Sequence, residues 1–116
     1  MGGSQVIDID INDIDLQYDG LGGLDSVGGA RLLFEYPEPI RTQMLDLIFT
    51  PNEQGCSWQI LKSEINGDTD TSYGSGSSFL HNRNDTNPNQ WNHGTHHWSL
   101  TEALKRNPNI PLYALS

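Results

Sequence analysis

From Val6 to Asp15 isoleucine alternates with aspartate or asparagine, and this period of two predicts an exposed strand. Tyr18 to Leu24 is dense in glycine and reads as a short strand running into a turn, with Gly20, Gly22, Gly23 and then Gly28 permitting backbone geometry that other residues resist. Ile40, Met44, Leu47 and Ile48 recur at helical spacing on one face, with Glu38 in the first turn where the helix dipole favours an acid. Pro39 is tolerated at that end, and Pro51 stops the helix. Ser57 to Ile65 predicts a strand, apolar at Trp58 and Ile60. Thr95 to Arg106 predicts a second helix, with Thr95 as cap, Lys105 and Arg106 at the negative dipole end, and Asn107-Pro108 as the stop. A last apolar run, Ile110 to Leu115, predicts another strand. Strand, helix, strand, helix, strand is the order of an α/β fold with parallel pairing and right-handed crossovers.

The connection from Asn66 to Gly94 breaks this regularity. It is polar, rich in Asn, Asp, Gly, Ser and Thr, and far longer than the usual ~2–6 residues. In a β/α barrel such a connection leaves the C-terminal end of its strand, the face that carries active sites. Position and length therefore make it the first place to look for ligand contact.

Composition narrows the classes. The 116 residues make one domain at most, well short of the ~250 of an eight-stranded β/α barrel. Six basic against fifteen acidic side chains, a net charge of −9, make nucleic acid and anionic lipid poor partners, because both are bound through Lys and Arg. No apolar run reaches transmembrane length. Met1-Gly-Gly-Ser4 lacks the segments of a signal peptide, so the chain as written is expected in the cytoplasm. Cys56 is the single cysteine and is expected as a small buried apolar side chain.

Three tracts stand in order along the chain: Tyr36-Pro-Glu-Pro-Ile-Arg41, Leu61-Lys-Ser-Glu-Ile-Asn-Gly-Asp68 and Lys105-Arg-Asn-Pro-Asn-Ile110. With Asp19-Gly-Leu-Gly-Gly23 ahead of them, they resemble the start of the catalytic barrel of glycoside hydrolase family 59, the galactosylceramidases, over about Tyr18 to Ser116. The resemblance implies the first three strands and two helices of a partial (β/α)8 TIM barrel over residues 18–116, preceded by an acidic N-terminal segment, 1–17, holding a short strand. It implies a retaining hydrolase that removes galactose from galactosylceramide, needs no cofactor, and is lysosomal or secreted. The family's two catalytic glutamates come from its fourth and seventh strands. None is therefore expected in this chain, which is expected to be inactive alone and to self-associate through its open sheet edge. A hydroxyl residue of the long loop hydrogen-bonds galactose in the family; alignment on Glu64 to Asp68 puts Ser72 there, or Thr71 if it slips by one.

Other motifs have plainer readings. Glu64, near the end of its strand, is expected in a structural role, hydrogen-bonded or paired with Lys62 or Arg31, and Asp68 and Asp70 invite the same reading. His93, His96 and His97 suggest a metal cluster, since His93 and His97 fall at i and i+4; partly exposed imidazoles at a helix N-terminus are the simpler expectation, and no metal is assigned. Asp8 to Asp15 mimics a calcium loop but lacks its glycine and its final glutamate. Asp19 to Asp25 fails the dinucleotide fingerprint, with Asp25 at the third glycine position. Asn84-Asp-Thr86 is a glycosylation sequon. Trp58 and Trp98 are expected in the core, and Trp91 in the loop is the one tryptophan considered for sugar contact. Two other classes remain open: a non-catalytic galactose- or partner-binding module, and a metal-binding protein built on the histidines.

Overall fold

A computed structural model of the chain describes residues 6–115, apart from 14, 27, 72–73, 77, 79–82 and 85–93. Its elements are β1 (Gly22–Asp25), α1 (Gly29–Glu35), α2 (Ile40–Phe49), β2 (Ile60–Glu64), β3 (Thr69–Thr71), β4 (Gly74–Gly76), α3 (Thr95–Arg106) and β5 (Leu112–Leu115). β1, β2 and β5 form one parallel sheet in that order, with Gly23 opposite Leu61 and Leu61 opposite Leu112. β3 and β4 form a separate antiparallel hairpin inside the long connection.

Alternation along the strands decides what the helices cover. Leu61 and Ser63 face the helix layer and are buried, whereas Lys62 between them is exposed. Leu45 and Phe49 of α2, Leu61, Ala103 of α3 and Ile110 form the core, with Leu33, Ile48, Trp58, Trp98 and Leu100 packed around it. Across the register Tyr113 and Leu115 share the Lys62 face, and both are more than half exposed. No described helix covers that face.

The glycines of β1 are required by contact. A Cβ on Gly23 would lie 2.0 Å from the Trp58 ring, and one on Gly22 would lie 2.0 Å from the Ile60 carbonyl oxygen. Trp58 in turn meets Phe49 edge-on at 5.8 Å, so β1, β2 and α2 close around one aromatic pair. Arg106, at the end of α3, bonds Asp46 of α2 through Nε and Glu102 through Nη1, each at 2.6 Å, and locks the two helices together.

Several expectations need correction. Residues 6–13 form no strand; Ile7, Ile9 and Ile11 are exposed, and Asp10 instead closes a local turn by accepting from the Asn12 N–H at 2.9 Å. With so many carboxylates and no sheet edge beside it, the alternating pattern has nothing to pair with. Among the described residues there are three helices rather than two: α1, begun by glycine and just under two turns long, carries too little periodicity to be read. In α2 the buried residues are Leu45 and Phe49, while Leu47 is about half exposed, so the apolar face is rotated from the predicted one. Likewise Leu61, not Ile60, is the buried apolar residue of β2. Glu38 precedes α2 and caps it from outside, accepting from the Thr42 N–H at 3.3 Å and hydroxyl at 2.7 Å. Gly94, at φ +86°, rather than Thr95 takes the cap position of α3. Cys56 is exposed, because its N–H goes to the Leu47 carbonyl in a surface turn and its side chain is left outside the core.

Candidate functional site

Parallel strands that start together also end together, so the C-terminal ends of β1, β2 and β5 and the start of the long connection share one edge of the sheet. Asp25 ends β1 and Glu64 ends β2. The first turns of α3 are laid against the same edge.

Asp25, His96 and Ser99 meet there. The His96 Nδ1 lies 3.2 Å from Asp25 Oδ2, with the two side chains 1% and 5% exposed. Although the two atoms are this close, the ring nitrogen makes no well-aligned hydrogen bond to the carboxylate. The Ser99 hydroxyl donates to the same Oδ2. The Asp25 contact, opposed by burial and aided by the charges of Asp25 and Glu64, holds the His96 imidazole above its ordinary pKa of 6.5. Four more buried polar atoms around this edge, Ser63 Oγ, Glu64 Oε2, Asn66 Nδ2 and His96 Nε2, have no hydrogen-bond partner among the described residues. The edge is thus a convergence of buried donors and acceptors.

The predicted site residues fare unevenly. Ser72 lies outside the described residues, as do His93 and Trp91. Thr71 ends β3 opposite Gly74, so the hairpin puts the neighbourhood of both candidates within the connection that leaves this edge. Asp68, at φ +57°, accepts from the Ser78 N–H and hydroxyl at 2.8 Å each and ties the base of that hairpin. Asn84 is exposed in a turn. Glu64 pairs with neither Lys62 nor Arg31, because Arg31 is taken by Glu35 at 2.8 Å one helical turn on. The expectation of partly exposed imidazoles holds at His97, which is half-buried, and fails at His96, which the fold buries. Among the described residues no three His, Cys, Asp or Glu side chains are grouped to hold a metal ion. The Asp25–His96–Ser99 cluster was not foreseen: a close pairing across 74 residues leaves no local signal.

A second feature is an apolar cavity of about 290 Å³ between α1, α2 and the sheet, walled by Leu33, Met44, Ile48, Phe49 and Trp58. It lies under the helices, away from the hairpin, and touches the polar edge only at Asp25 and Ser99. It is a gap in helix-on-sheet packing rather than a place where ligand-orienting groups converge.

The family model described as glycosyl hydrolase family 59 matches residues 18–116. Among curated relatives, the galactocerebrosidase of Salmo salar is 50% identical over 100 residues, covering 84% of this chain and 14% of the relative. That of Homo sapiens is 46% identical over 116 residues, covering 98% of this chain and 16% of the relative, and that of Danio rerio is 48% identical over 101 residues, covering 85% and 14%. The chain therefore spans about one-sixth or less of the length of the relatives it matches.

Proposed function

This chain belongs to glycosyl hydrolase family 59, and from that membership we propose that it is the opening portion of the (β/α)8 barrel of a galactosylceramidase-like enzyme. The observation that carries the reading is the agreement between 46–50% identity to galactocerebrosidases and three parallel strands in sequential order with helices between them. Those strands deliver their polar ends and a long connection to a single edge, as barrel active sites require.

The reaction of the intact enzyme is hydrolysis of the β-galactosidic bond of galactosylceramide or a related β-galactoside, with retention, in a lysosomal or secreted setting. Retention needs two carboxylates about 5–5.5 Å apart, one as nucleophile and one as acid then base. The resemblance assigns both to glutamates of strands four and seven, so the role of these residues is to bind and frame the sugar rather than to cleave. Ser72, or Thr71 beside it, supplies a hydroxyl that can both donate to and accept from galactose hydroxyls. By itself the chain is inactive. Its uncovered sheet face and the outer edge of β5 favour association with further copies.

A chimera tests this reading. Substituting this chain for the matching segment of a galactocerebrosidase relative should leave release of galactose from a chromogenic galactoside measurable, while the 116-residue chain alone releases none. Ser72→Ala in the chimera should lower kcat/KM by up to about tenfold, the size of one lost neutral hydrogen bond. A folded chimera without activity, or hydrolysis by the short chain alone, would overturn it.

A further inference from the structure

We propose that His96 is an acid-strengthened clasp, an imidazolium held against the buried carboxylate of Asp25 that fixes the first turn of α3 to the C-terminal end of the sheet. Three observations support it. The imidazole is 1% exposed and its Nδ1 stands 3.2 Å from the Asp25 carboxylate, itself buried, with the Ser99 hydroxyl on the same oxygen. A buried carboxylate without a countercharge is costly, and among the described residues His96 is the one cationic partner Asp25 contacts. Glu64, from the neighbouring strand, adds a second negative field and carries a buried oxygen with no hydrogen-bond partner among the described residues.

The charges of the other packed elements are engaged elsewhere: Arg31 with Glu35 on α1, Arg41 with Glu38 before α2, and Asp46 of α2 with Arg106. Lys62 of β2 is exposed and alternates away from the helix layer. His96 thus answers to Asp25, and its raised pKa agrees with that contact. The sign follows from linkage: a histidine whose folded pKa is raised stabilises fully below its unfolded value of about 6.5 and loses that contribution as pH climbs through the folded pKa. The clasp therefore holds in acid and slackens in base. It belongs to the chain's own fold and is independent of which sugar the edge binds.

Titration of the His96 ring nitrogens by ¹⁵N NMR in the 116-residue chain tests the proposal directly. The expected midpoint lies above 6.5, and Asp25→Asn should move it down. A wild-type midpoint at or below 6.5 would overturn the clasp. Thermal melts from pH 6 to 8.5 give the second readout: the wild type should lose several degrees over that range, and His96→Gln should lose much less. Equal losses in the two proteins would also overturn it, and if His96→Gln does not fold the wild-type titration alone decides.

Discussion

Gly23 meets the Trp58 ring so closely that a single added methyl group would fall 2.0 Å from the ring carbons. The ring also packs edge-on against Phe49, which limits its freedom to retreat. Gly23→Ala should therefore destabilise the fold by about 1–3 kcal/mol, the usual cost of overpacking, read as a lower urea midpoint with an unchanged slope. Residues of this kind were partly legible in the sequence, since a glycine-rich strand start announces close backbone approach, though not what approaches. His96 was not legible at all. Adjacent histidines at a helix start look like solvated side chains until the fold brings Asp25 across from the first strand, and only that contact sets one of them, buried, beside a carboxylate.

At the scale of elements, α2 and α3 are joined by packing and by one guanidinium. Burial works against the charge of Arg106, but its bonds to Glu102 and Asp46 outweigh it and raise its pKa. Arg106→Ala should cost about 1–3 kcal/mol, the worth of charge-assisted hydrogen bonds, measured by equilibrium unfolding. Arg106→Lys should recover only part, because an ammonium cannot reproduce the fork that reaches both carboxylates. The basic pair at the end of α3 was visible as a dipole complement, and the bounds of α3 and the order of the three sheet strands followed from stop signals and apolar runs. What stayed hidden depended on partners. The N-terminal alternation has the rhythm of a strand but finds no edge, and α1 is too short and too glycine-led to announce itself. The hairpin of β3 and β4 is built from polar residues whose pairing leaves no hydrophobic period.

For the molecule as a whole, two ion-pair systems set opposite limits on pH. Burial raises the Glu102 pKa, but bonds from Lys105 and Arg106 lower it further, to below 4.5, so its contribution is present above that value and lost as pH falls through the folded pKa. His96 contributes below 6.5 and loses its share above. Stability should therefore peak between about pH 4.5 and 6.5, which denaturant titrations across pH 3 to 9 would reveal; a maximum above neutrality would contradict the His96 assignment, and undiminished stability at pH 3 that of Glu102. The excess of negative charge, −9, adds to the decline on the alkaline side.

Cys56 gives this small fold one more property. As the single sulfhydryl of the chain, placed at the surface one residue beyond Gly55 and two before Trp58, it can accept a maleimide dye or spin label at one defined position without entry into the interior. A reporter there would stand two residues from the indole that packs against Gly23, and would sense separation of the first two strands.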